Sequence, residues 1–148
     1  GQLAAIVGLD PAYPLYSYSK PETRLASTDA KWVETIQTNG NVKGFLRPIG
    51  TQSFYPNWGR LQPGCGTDLD GSCSHARCVD YYAEGVRGYS FQPIHQCESY
   101  ENIADKEKCT ELVSHVRVGD PLSIDRKEGI FYFETNESSP FGHLTEKE

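Results

Sequence analysis

An α/β architecture with a largely parallel sheet is what this sequence predicts, on three observations. The chain opens on an apolar run, Gly1 to Leu9, that stops at Asp10-Pro11. Unbroken hydrophobicity of this kind marks a strand buried on both faces of a parallel sheet. Two more runs rich in β-branched and aromatic residues follow, Lys31–Thr38 and Gly50–Tyr55, each closed by turn formers. A helix-like segment, Ala76–Glu84, comes after the third run, an order that fits an α/β sheet.

With 148 residues the chain is the size of one ordinary domain. No apolar run approaches the roughly eighteen residues of a membrane span. A net charge of −6, without Lys or Arg clusters, argues against nucleic acid and against electrostatic capture by anionic lipid. Five cysteines with no C-x-x-C pair point to disulfides and an oxidising compartment. Asn136-Glu137-Ser138 is a glycosylation sequon and agrees with secretion.

Taken in order, the first strand ends on a carboxylate, Asp10, where open α/β sheets place their sites, although an Asp before Pro also opens turns. A tyrosine-rich loop covers Tyr13 to Lys20. The segment from Pro21 to Ala30 leads into the second strand, which Asn39-Gly40-Asn41 closes. Residues 42–49 are irregular. The third strand feeds a loop of turn formers that runs through Gln62-Pro63-Gly64 to Cys65, and Cys73 follows after seven residues, all small or polar except Leu69.

If Cys65 and Cys73 pair, the short closed loop removes about 2.5 kcal/mol of unfolded-chain entropy. The staple then fixes where His75 leaves the loop. A helix should begin there, capped by Ser72 or Ser74, with Val79, Tyr82 and Ala83 on its apolar face. A histidine where a loop becomes a helix is either a surface residue or a general base, since its pKa lies near neutrality. After the helix, Phe91 and Ile94 read as core, and Gly129–Thr135 reads as the last strand. His95, His115 and His143 read as surface residues with no second ligand at metal spacing. The acidic end, Thr145–Glu148, should fray.

Six ordered motifs carry a family resemblance: Gly8-Leu9-Asp10-Pro11-Ala12, Arg24-Leu25, Asp29-Ala30, Phe54-Tyr55-Pro56-Asn57, Gln62-Pro63-Gly64-Cys65 and Cys73-Ser74-His75-x-Arg77. Together they resemble the animal lipase family, which holds the pancreatic and lipoprotein lipases, phospholipases A1 and insect yolk proteins. The resemblance runs through nearly the whole chain and implies an α/β-hydrolase fold. It puts a triad acid at Asp10 and its base at His75, in the order Ser, Asp, His. No Gly-x-Ser-x-Gly elbow occurs in these residues. The expectation is therefore that residues 1–148 form the later portion of one lipase-like domain. The nucleophile would lie on a preceding portion or a separate chain, and no β-sandwich domain would be expected to follow.

The resemblance also makes Gly66, Thr67, Asp68, Leu69, Asp70, Gly71 and Ser72 the lid. It is short, with Leu69 its one large apolar residue, so it offers an interface only about 2 kcal/mol of burial. Short lids are found in the phospholipase A1 and yolk-type members, and interfacial activation should be weak. Ser53 stands where many members have Asp, and Trp58 where many have Gly, so Trp58 narrows the pocket or walls it. The calcium loop is matched only by Arg24, Asp29 and Glu22, with Ala26 replacing a carboxylate. A solvated, salt-bridged loop without tight metal is expected, and no cofactor. Cys97 and Cys109 are expected to pair. Cys78 is then the odd cysteine, either buried or bridged elsewhere. Two functions fit. One is a secreted carboxylic ester hydrolase acting on a lipid ester; the other is an inactive lipase-like yolk, storage or lipid-binding protein. Retention of both Asp10 and His75 favours the first.

Overall fold

The computed structural model describes residues 1–104, 108–112 and 115–144. Its core is a six-stranded, mostly parallel sheet. Strands β1 (Ile6–Leu9), β2 (Val33–Ile36), β3 (Gln52–Pro56), β5 (Ile94–Cys97), β6 (Cys109–Leu112) and β7 (Gly129–Phe133) lie in the order β1-β2-β3-β7-β5-β6. The first four in that order run parallel, and β5 and β6 add an antiparallel edge. Two short strands, β4 (Tyr89–Ser90) and β8 (His143–Leu144), pair apart from it. The α-helix α1 (Ser72–Val86) packs on one face.

Alternation in the strands divides the core. Ile36, Phe54, Phe131 and Phe133 face α1 and meet its Cys78 and Tyr81. Tyr55 and Tyr132 point the other way, to Cys97 and Ile103. β2 and β3 are buried along their whole length, as central strands with both faces covered must be.

Three expectations are corrected. The strand anticipated over Gly1–Leu9 is only Ile6–Leu9 and is half-buried, with residues 1–4 exposed. Among the described residues β1 pairs along β2 alone. The helix buries Ser74, Cys78, Tyr81, Glu84 and Gly85, while Val79 is 54% exposed. Polar side chains sit on the inner face because they are paired. Glu84 accepts from Ser139 Oγ and from the amides of Phe141 and Gly142, and Tyr81 Oη–H donates to Gln62. Neither Ser72 nor Ser74 is the cap. Gly71 occupies that position in a left-handed conformation (φ 72°), and both serines lie inside the helix. The carboxylate of Asp68 accepts from the amides of Cys73 and Ser74, and Asp70 accepts from Ser72 N. Acidic acceptors at this end suit the helix dipole.

Candidate active site

Asp10 follows β1 in a left-handed conformation (φ 44°), which Asp tolerates better than most residues. Its amide still donates to Ile36 O, so the sheet continues to this point before the chain breaks away. The carboxylate is fully buried. Oδ1 accepts from the amides of Thr38 (2.8 Å) and Asn39 (3.1 Å), at the end of β2. Oδ2 lies 2.6 Å from His75 Nδ1. The two residues are 65 positions apart in sequence, and the fold joins them.

Burial raises the Asp10 pKa above its ordinary value; the bonds from His75, Thr38 and Asn39 oppose this. An ionised carboxylate can only accept, which assigns the Nδ1 proton to His75 and leaves Nε2 with its lone pair. Nε2 has no hydrogen-bond partner among the described residues, and the His75 side chain is 39% exposed. A ring oriented from behind by a buried carboxylate, with its far nitrogen unpaired among the described residues, is the arrangement of a general base.

Several residues that hold this pair escaped the sequence reading. Gly44 packs directly on Asp10: a Cβ there would stand 2.2 Å from Oδ1 and 2.5 Å from Oδ2. Asn39 also braces its own loop, accepting from Lys43 N, and Gly71 lies so close that a Cβ would be 2.4 Å from Asn39 Oδ1. Lys43 Nζ donates to Ser72 Oγ. A glycine inside a turn was the single visible signal for Gly44.

The seven residues from Gly66 to Ser72, expected as a lid, differ in exposure. Leu69 is 93% exposed, but Gly71 is buried and Ser72 begins α1. Sulfur bridges join Cys65 to Cys73 and Cys97 to Cys109. Cys78 is buried and its Sγ–H donates to His75 O; burial, with the nearby Asp10 charge, pushes its thiol up to about 12. Asn136 is exposed and its Nδ2 donates to Pro140 O.

Other predicted residues fall elsewhere. Ser53 is buried inside the sheet, hydrogen-bonded to Thr35. Trp58, at φ 72°, stacks on Tyr132 with centroids 4.5 Å apart, and so walls clefts on the sheet face opposite α1. The segment of Glu22, Arg24, Ala26 and Asp29 is held differently from the salt-bridged loop expected. Arg24 donates to the carbonyls of Ser17, Tyr18 and Leu25 and lies over the rings of Tyr18 and Phe45, while Asp29 accepts from Ala26 N. His115 and His143 are exposed. His95 is half-buried on β5 with its Nδ1 enclosed, because β5 is an interior strand and not an edge. Thr145–Glu148 lie outside the described residues.

A cleft of about 350 Å³ is lined by His95, Tyr132, Glu134 and His143 among others, and includes neither Asp10 nor His75. The cleft nearest Asp10 in sequence, about 200 Å³, is lined by Pro11, Ala12, Tyr16, Arg24 and Phe45.

Comparison with known proteins identifies the family. The sequence model of the family described as "Lipase" matches residues 1–141. Phospholipase A1 2 of Vespa affinis is 35% identical over 147 residues, covering 95% of this chain and 41% of the relative. Lipase member H of Danio rerio is 32% identical over 157 residues, covering 95% and 34%. Phospholipase A1 of Vespa crabro is 34% identical over 147 residues, covering 95% and 46%. The chain thus spans less than half the length of these relatives. With the family motifs, the mostly parallel sheet and the match over residues 1–141 in agreement, the chain belongs to the lipase family.

Proposed function

We propose that these residues carry the acid and base of a secreted Ser-Asp-His carboxylic ester hydrolase of the lipase or phospholipase A1 type. Its serine would lie on polypeptide outside the 148 residues, and its substrate would be a phospholipid or an acylglycerol. The observation that supports this reading is the 2.6 Å contact between His75 Nδ1 and the buried Asp10 carboxylate, on a His75 side chain that is 39% exposed. In the reaction, Nε2 takes the serine proton as the serine oxygen attacks the ester carbonyl. Asp10 then balances the imidazolium charge, and Nε2–H delivers its proton to the leaving alcohol. A water molecule repeats the sequence on the acyl-enzyme and releases the fatty acid.

The relatives named phospholipase A1 make a phospholipid the first substrate to try. Two disulfides fit export to an oxidising compartment. The test is to treat the natural protein with an organophosphate ester. Covalent labelling of one serine is expected, together with release of fatty acid from phosphatidylcholine or triacylglycerol. A folded sample that takes up no label would overturn the proposal in favour of a lipid-binding or storage role.

A further inference from the structure

The side chain of Gln62 is almost completely buried, and each of its polar bonds is made. Its orientation is dictated from a distance. Thr135 N is a backbone donor and must find an acceptor, which it does in Asn57 Oδ1 at 3.0 Å. That fixes Asn57 Nδ2 toward Gln62, where it donates to Oε1 at 2.9 Å. Tyr81 Oη–H donates to the same oxygen at 3.1 Å. The Gln62 amide nitrogen therefore faces the other way and donates to two carbonyls, Thr38 O and Pro56 O, both at 3.0 Å. Its four side-chain bonds saturate an amide.

Two of Gln62's partners are next to the acid–base pair. Thr38 O belongs to the same planar peptide group as Asn39 N, which donates to Asp10 Oδ1. Gln62 thus pulls on one end of the peptide whose other end holds Asp10. Bonds in series of this kind polarise and strengthen one another in a low-dielectric interior. The second partner is Ser74, whose Oγ accepts from Gln62 N at 3.0 Å; the next residue is His75. One side chain and its own amide therefore reach both halves of the pair.

We propose that Gln62 is a positioning residue, which sets the separation and angle of Asp10 and His75 through the Thr38–Asn39 peptide and through Ser74. This rests on the reading of Asp10 and His75 as an acid–base pair, but its principal test does not require catalysis. The natural protein is compared with Gln62→Glu, in which an isosteric carboxylate can no longer donate to the two carbonyls, and with Ser74→Ala, which removes the link from Gln62 N to the helix along with the Ser74 hydroxyl's bond to the Asp68 carboxylate.

Proton NMR reads the proton between His75 Nδ1 and Asp10 Oδ2, which resonates far downfield when the bond is short. Both variants should move that signal upfield or broaden it away by solvent exchange, while near-ultraviolet circular dichroism stays native. On a water-soluble ester, kcat should fall on the order of 10- to 100-fold for Gln62→Glu, with KM within about twofold, because small misplacements of catalytic groups act on the chemical step. If Gln62→Glu does not fold, Ser74→Ala decides. A folded variant with an unmoved resonance and unchanged kcat overturns the proposal. An inactive natural protein whose resonance still responds would instead sink the hydrolase reading and leave the positioning role standing.

Discussion

At their carboxyl ends β2 and β3 meet Asp10, Gln37 and Gln62, buried side chains whose hydrogen bonds are made several times over. Toward their amino ends the same two strands pair Glu34 with Gln52, equally buried and on the α1 face. There, among the described residues, the Glu34 carboxylate accepts one hydrogen bond, from Gly119 N at 2.8 Å. Glu34 Oε2 and both polar side-chain atoms of Gln52 have no hydrogen-bond partner among the described residues. Both carboxyl groups are raised above their usual range by burial, Glu34 to about 7. The difference lies in what opposes that burial. Three donors surround Asp10, whereas one amide serves Glu34 and the Asp120 charge works against it. Polar burial at one end is organised around a charge; at the other it is tolerated.

Neutralising each carboxylate in turn breaks this comparison most directly. In the natural protein, Asp10→Asn should lower kcat by about 10⁴-fold, the loss expected when the imidazole is held in the wrong tautomer. Steady-state hydrolysis of a soluble ester measures it, and a loss under tenfold would remove Asp10 from the role of triad acid.

Glu34→Gln should do the opposite and stabilise. The sign follows from linkage: an acid with a raised folded-state pKa contributes stability that is complete below its unfolded value, near 4.5, and is lost as the pH rises through about 7. The full span is on the order of 3 kcal/mol. Urea unfolding at pH 5 and pH 8 should therefore show the variant gaining on the natural protein at pH 8. An equal stability difference at both pH values would mean that Glu34 titrates normally.

The subtlest change is Gly44→Ala. No backbone strain is introduced, yet the new methyl must push against the Asp10 carboxylate. A fall in kcat on the order of 10²-fold with a nearly unchanged melting temperature is expected. A large drop in melting temperature instead would show that the contact serves the fold more than the pair.

How much of this was legible in the sequence depended on whether polarity and burial agreed. The aromatic and β-branched runs of β2 and β3 announced themselves, and Asp10 and His75 stood out because their residue types sat at a strand end and at a helix start. The inner face of α1 was misassigned because Glu84 and Tyr81 are buried with partners from segments more than fifty residues and nineteen residues away. No local periodicity carries that information. Gln37, Gln52 and Glu34 were invisible for the same reason: glutamine and glutamate in a strand read as solvent-facing until the neighbours that cover them are known. The length of β1 was overestimated because apolar composition alone does not mark where pairing with a neighbouring strand starts.

The bridge from Cys65 to Cys73 has a topological consequence. Asp10 lies before this loop in the chain and His75 lies after it. Cleavage by a protease at the exposed Gly66, Thr67 or Leu69 would cut the polypeptide between the two. The pieces would stay joined by the sulfur link, and the Asp10–His75 contact itself would cross the break. Such a nicked molecule would run as one species without reductant and as two with it. Its chemistry would be governed by the contacts that span the cut and not by the continuity of the chain.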